Sequence, residues 1–144
     1  MLDFGCRVAG YHSDLTRTVA IGNPSRELRK IYGVVYDAQQ RALDRCRLPL
    51  AARTLDAAAR TSIRKSGYGR FFSHSLGHGL GLQIHEEPRI SAKSAARLAA
   101  GNVFTIEPGV YVPGLGGVRI EDDVVLRADG PELLTHSPKE LIIV

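Results

Sequence analysis

Apolar and polar positions follow a strand-like pattern at the start of the chain. Leu2 to Val8 reads as a strand, Gly10 marks a turn, and Tyr11 to Ile21 reads as its partner, with Leu15, Val19 and Ile21 as strand formers. Gly22-Asn23-Pro24 breaks this pattern and the period changes. Ser25 sits where an N-cap belongs. Leu28, Ile31, Tyr32, Val35, Ala38 and Ala42 then recur at helical spacing, which predicts an amphipathic helix from Arg26 to about Cys46. Leu48-Pro49-Leu50 interrupts it, and Thr54 offers a cap for a second helix ending at Gly67. Phe71 to Leu82, apolar and glycine-rich, reads as strand and tight loop. Ala92 to Ala100 predicts a short helix stopped by Gly101-Asn102. Val103 to Val112 is a strand, Pro113-Gly114-Leu115-Gly116-Gly117 a turn, and Val118 to Leu126 the returning strand. Asp129-Gly130 turns the chain into a last short strand near Leu133-Leu134. A hairpin, two helices and a strand-rich half predict an α+β layout with a mostly antiparallel sheet.

Composition narrows the class. A chain of 144 residues with 44% hydrophobic content is expected to form one ordinary globular domain. The net charge of +4 comes from scattered Lys and Arg, and there is no Trp to build a stacking ladder. A generally basic surface is expected, not a nucleic-acid-binding face. No apolar run approaches the ~18 residues of a membrane-spanning helix, so no membrane association is expected. The start lacks the charged and apolar regions of a signal peptide. Cys6 and Cys46 have neither metal spacing nor disulfide density, so both thiols are expected reduced in a cytoplasmic protein.

Candidate chemistry gathers in Ser73 to Pro88, where His74, His78 and His85 lie among Gly77, Gly79 and Gly81. Histidine serves as metal ligand and acid or base, and glycine admits close backbone approach. Four carboxylates fall on the two predicted hairpins. Asp3 and Asp14 have the odd separation that puts residues of an even-looped hairpin on one face. Glu107 and Glu121 have an even separation, which requires an odd loop or a bulge, and Pro113-Gly114-Leu115 can supply one. Clustered anions repel and must protonate or find cations. If all four carboxylates meet, two divalent cations balance them, and neutral His78 adds a nitrogen donor. Carboxylates with one imidazole suit Mn²⁺, Co²⁺, Fe²⁺ or Zn²⁺. Two such ions ~3.5–4 Å apart share a water and lower its pKa towards neutrality. Taken singly, each residue is commonplace: Asp3 and Asp14 fit an exposed hairpin, His74 and His85 fit hydrogen-bonded core histidines, and His12 and His136 read as surface residues. The ordered set Asp–Asp–His–Glu–Glu is distinctive.

The segments Asp3-Phe4-Gly5, Gly10 to Thr18, His74 to Pro88, Phe104 to Tyr111 and Gly117 to Asp122 resemble the pita-bread metallopeptidases: methionine aminopeptidases, aminopeptidase P and prolidases. The resemblance implies a dinuclear site of Asp3, Asp14, His78, Glu107 and Glu121, holding two divalent ions, Mn²⁺ first and Co²⁺, Zn²⁺ or Fe²⁺ as alternatives. By the same analogy Asp14 and Glu121 bridge both ions, His78 and Glu107 complete one, and Asp3 completes the other. Glu107 is the implied general base. His85 resembles the histidine that contacts the scissile carbonyl. His74 resembles one that shuttles protons or binds substrate, and Arg119 an arginine beside the site. Glu107-Pro108-Gly109, where methionine aminopeptidases usually read Glu-Pro-Met, and His85-Glu86-Glu87-Pro88 match the proline-directed branch. The short turn between the glutamates leans towards a dipeptidase. The implied reaction is hydrolysis of Xaa–Pro bonds of dipeptides or peptide N-termini by metal-activated water.

The resemblance also implies that residues 1–144 are the C-terminal part of a pita-bread catalytic domain, a curved sheet with covering helices. The family's earlier helices and strand, a substrate-side histidine and an N-terminal domain precede the segment matching Asp3, whereas Ser137 to Leu141 resembles the family's C-terminal end. The chain is therefore expected to be a fragment, a truncated product or one piece of a larger assembly. It should be short of activity alone, and completed by the missing half or a homo-oligomer. A second reading is an inactive pita-bread module that serves in binding; retention of all five ligands speaks against it.

Overall fold

Ser25 opens the first helix as its sequence predicts. Its hydroxyl accepts the Leu28 N–H, a cap that contributes about 0.5–2 kcal/mol. The computed structural model describes residues 1–144, and in it this helix, α1, spans Arg26–Arg45 and buries Ile31, Tyr32, Val35, Ala38 and Ala42 along one stripe. The second helix, α2, spans Ala52–Lys65 and starts ahead of Thr54. Its cap residue Ala51 makes no side-chain bond. Pairing fixes the start instead: Leu50–Ala51 lies antiparallel to Arg97–Leu98, and the Ala52 N–H donates to the Ala96 carbonyl. The same pairing overturns the helix expected over Ala92 to Ala100. Isolated helices shorter than ~12–15 residues are marginal, so a strand partner outweighs alanine propensity here.

The strands, in chain order, are β1 (Leu2–Phe4), β2 (Arg7–Val8), β3 (Tyr11–His12), β4 (Leu15–Arg17), β5 (Leu50–Ala51), β6 (Gly77–Gly79), β7 (Glu86–Ile90), β8 (Arg97–Leu98), β9 (Val103–Ile106), β10 (Gly109–Val112), β11 (Gly116–Arg119), β12 (Asp122–Leu126) and β13 (Pro131–Leu133). The main sheet has the order β13-β12-β9-β6-β7, with every pairing antiparallel. Helix α1 lies against β9, β10 and β11, and α2 against β7. The core joins Phe104, Ile106, Ile120 and Val124 of the strand-rich half to Ile31 and Val35 of α1 and Leu55 and Ile63 of α2. This is the expected α+β arrangement.

Both predicted hairpins are present, and both are interrupted where they carry carboxylates. Pro108, which lacks an N–H, ends the β9 ladder, and β10 and β11 resume beyond it. One register runs through both ladders: Ile106 faces Asp122, and Gly109 faces Arg119. Glu107 and Glu121 therefore stand opposite each other in the gap. The loop 113–115 between paired Val112 and Gly116 has the odd length their spacing requires. In the first hairpin Asp3 faces Thr16, not Asp14. The odd-separation rule gave the shared face but missed the partner by one pleat. A Cβ on Gly5 would lie 1.8 Å from the Ser13 carbonyl oxygen, so glycine is needed where these strands meet.

The outer strands of the first hairpin are exposed, with Leu2, Phe4, Val8 and Tyr11 all open to solvent, whereas Thr16 and Arg17 of β4 are buried. It is tied to the body by the His12 N–H on the Gly81 carbonyl (2.8 Å), the Asp14 N–H on Asp123 (2.9 Å) and the Glu121 N–H on the Thr16 carbonyl (3.1 Å). Both cysteines are free. No helix is long and apolar enough to cross a membrane.

Candidate metal centre

Three ligand candidates converge from separate elements. Donor atoms of Asp14, His78 and Glu121 all lie within 4.8 Å of one another. Asp14 comes from the gap before β4, His78 from β6 and Glu121 from the residue before β12. His78 Nε2 is 3.8 Å from Asp14 Oδ2 and 3.4 Å from Glu107 Oε1, which brings Glu107 to the same group. Asp3 lines the same cavity of about 460 Å³ as Asp14, His78, Glu107 and Glu121. Its carboxylate is paired there with Arg119, and the side chain is half exposed.

Local chemistry explains why these side chains point inward. A Cβ on Gly77 would lie 1.9 Å from the Thr105 carbonyl oxygen, so glycine lets β6 press against β9 and sets His78 beside it. The Thr105 hydroxyl accepts the His78 N–H at 3.2 Å and donates to Glu107 at 3.0 Å, joining two candidate ligands. His78 Nδ1 donates to the Gly79 carbonyl at 3.0 Å, which leaves Nε2 with a free lone pair facing the carboxylates. Thr16 donates to Glu121 in the same manner.

The electrostatics call for positive charge. Burial is the largest cause that lifts Glu121 to about 8 and Glu107 to about 7. Neighbouring carboxylates add to both shifts. Asp14 is raised by burial and then by the Asp3 charge. Burial lowers His78, so its imidazole is neutral and available as a donor. Arg119 is the nearby cation, within 4.0 Å of both Glu107 and Glu121. A cluster of oxygen donors with one imidazole, desolvated and mutually repelling, suits hard to borderline divalent ions. Asp14, His78 and Glu121 fit a divalent ion of that kind.

A second cavity, of about 700 Å³, adjoins the first and shares His78, His85, Glu107 and Arg119 with it. His74 lines it. Its Nδ1 donates to the Ser75 carbonyl (2.8 Å), and its Nε2 accepts from the Tyr111 hydroxyl (3.0 Å). Burial lowers the His74 pKa. His85 is exposed, with its ring edge-on to His78 at 4.1 Å between centroids. Neither is a core histidine. His12 is not a lone surface residue either: its ring Nδ1 lies 3.3 Å from the Gly81 carbonyl oxygen.

The sequence profile of metallopeptidase family M24 matches residues 1–128. The chain belongs to this family. It is 51% identical over 143 residues to the uncharacterized peptidase YqhT of Bacillus subtilis, covering 99% of this chain and 40% of that protein. It is 47% identical over 142 residues to an Xaa-Pro dipeptidase of Pyrococcus furiosus, covering 99% of this chain and 41% of that protein. Among solved structures, an Xaa-Pro dipeptidase from Bacillus anthracis superposes with a TM-score of 0.98 at 50% identity, covering 99% of this chain and 40% of that one. The fold is thus the C-terminal part of the M24 pita-bread fold, and the chain spans about 40% of the length of these relatives.

Several site residues of this M24 chain were not singled out by sequence reasoning. Tyr111 links His74 to Arg119, whose Nη1 donates to its hydroxyl at 3.1 Å. Asp56 and Arg60, on α2, form a two-point ion pair, and Arg60 also donates to the Phe72 and His74 carbonyls. The only sequence signal is a charge on the buried stripe of α2. Asp123 accepts the Asp14 N–H. Buried Asp122 receives Arg17, Gln39, Thr135 and Lys139 at 2.7–2.8 Å. In the sequence Glu121-Asp122-Asp123 reads as one acidic run, and nothing there divides it into separate roles.

Proposed function

We propose that this chain carries the metal-binding part of a proline-directed M24 peptidase, which hydrolyses Xaa–Pro bonds of dipeptides or peptide N-termini. The observation that carries this reading is the meeting of Asp14, His78 and Glu121, with Glu107 alongside, in a desolvated anionic cavity. Asp3, Asp14, His78, Glu107 and Glu121 would hold two divalent ions, Mn²⁺ first among them. When bound, such a pair activates a water and polarises a carbonyl.

The chain's own residues supply the remaining roles. Glu107, already raised towards neutrality by burial, is suited to take the proton from the attacking water. Neutral His74, its Nε2 facing Tyr111, and exposed His85 line the larger cavity and would contact a substrate carbonyl there. Arg119, reaching both cavities, is placed to bind an anionic substrate end such as the carboxylate of a dipeptide.

Since the chain spans about 40% of its relatives, activity is proposed for the complete catalytic domain. The exposed apolar side chains of the first hairpin are the surface on which the rest of that domain, or a second subunit, would pack. The test is a Mn²⁺ titration of the 144-residue chain followed by an Xaa–Pro dipeptide assay. Roughly two equivalents of metal with weak or no turnover supports the reading. No metal bound at neutral pH favours a binding module, and near-normal turnover by the monomer refutes the need for a missing half.

A further inference from the structure

Asp14 lies in the gap between the β1/β4 and β2/β3 ladders, so neither ladder fixes its backbone. The neighbouring Ser13 N–H is satisfied within the hairpin by the Cys6 carbonyl at 3.0 Å. The Asp14 N–H faces the other way, towards the main sheet. The outward amides of a hairpin edge are left unpaired by the hairpin itself and need a further strand or another acceptor. Here a side chain takes that place: Asp123 Oδ2 accepts the Asp14 N–H at 2.9 Å.

We infer that Asp123 is a positioning residue, whose carboxylate sets Asp14 at the distance from Glu121 and His78 that a bound cation requires. The inference rests on the metal-binding reading given above.

Three observations support it. Asp123 has a rigid mount: it belongs to β12, is 3% exposed, and its own N–H is held by the Thr135 hydroxyl at 3.2 Å. It stands two residues from Glu121, so a single bond relates the candidate ligand on the exposed hairpin to one on the sheet. Its other oxygen, Oδ1, is buried without a hydrogen-bond partner. Native folds leave few buried polar atoms unpaired. An apolar residue at this place would remove that penalty, but it would leave the Asp14 amide without an acceptor.

The test is calorimetric titration of the 144-residue chain with Mn²⁺, as wild type, Asp123→Asn and Asp123→Ala, with a thermal melt for each. Loss of a group that orients a ligand weakens metal binding about 10–100-fold, and that loss is expected for Asp123→Ala. Asp123→Asn keeps an oxygen acceptor for the same amide and should stay within about threefold of wild type. Wild-type affinity in Asp123→Ala overturns the inference. So does equal loss in both variants, which would assign the effect to charge and not to the hydrogen bond. A wild-type chain that binds no Mn²⁺ overturns the metal reading and the inference together. If Asp123→Ala does not fold, hydrogen exchange of the wild-type chain decides. The Asp14 amide is expected to exchange at least about tenfold more slowly than those at the hairpin tip, and equally fast exchange refutes the inference.

Discussion

The two hairpins that bear the carboxylates differ in how much of the fold stands behind them. Glu107 and Glu121 sit in a gap between two ladders of one register, and Glu121 is 2% exposed. Asp3 lies on a strand exposed at every position and leans on Arg119. The sheet side is set by core packing, whereas β1, at the outer edge of its hairpin, is held by its pairing with β4 and by the Asp3–Arg119 ion pair. Preorganised donors lose little freedom on binding, and loosely held ones must be ordered by the ligand.

The largest test of this contrast is removal of one donor from each side. Glu121→Gln is expected to weaken Mn²⁺ binding by more than about 100-fold, beyond the loss for an orienting residue alone. Asp3→Asn is expected to lower the stoichiometry from about two ions to about one, with the remaining site near wild-type affinity. Equal losses in the two titrations would break the contrast.

Protonation gives a second test. Glu107 and Glu121 are raised to about 7 and about 8 from an ordinary 4.5. The metal-free fold therefore holds protons that the unfolded chain has released. The contribution of these two groups to stability is full below about pH 4.5 and is lost as pH rises through 7 to 8. Metal binding requires the ionised carboxylates, so Mn²⁺ affinity should rise over the same window. Urea midpoints in chelator should fall between pH 5 and pH 8, and Glu121→Gln should flatten the slope. A midpoint that rises with pH in chelator contradicts this account.

A smaller effect sharpens the comparison by making one change in each region. An alanine methyl at Gly77 meets the Thr105 carbonyl, and one at Gly5 meets the Ser13 carbonyl. Gly77→Ala should destabilise the whole fold by about 1–3 kcal/mol, the usual result of overpacking. Gly5→Ala should splay the hairpin, weaken metal binding and leave the melting temperature nearly unchanged. A similar drop in melting temperature for both would show that the hairpin is part of the cooperative core.

What the sequence revealed followed from periodicity. The helical stripe and Ser25 placed α1, and the odd loop required by Glu107 and Glu121 is the three-residue turn. Parity put Asp3 and Asp14 on one face, but it could not say that the hairpin breaks at Gly5 and pairs Asp3 with Thr16. The errors came from long-range partners. Arg97–Leu98 became a strand because Leu50–Ala51 lies beside it, and the same pair moved the start of α2. Tyr111, Asp123 and the Asp56–Arg60 pair act through neighbours remote in the chain, which local patterning cannot display.

Arg17 touches the Asp122 carboxylate and the Ser137 and Pro138 carbonyls, which are 105 to 121 positions away in the chain. Closing loops of that size is slow relative to forming a helix or a local turn. During synthesis the two helices can form early, while the clasp behind Glu121 must wait until Ser137 and Pro138 have left the ribosome. The candidate metal centre accordingly matures after the two helices, and nascent chains ending before Ser137 should not retain Mn²⁺.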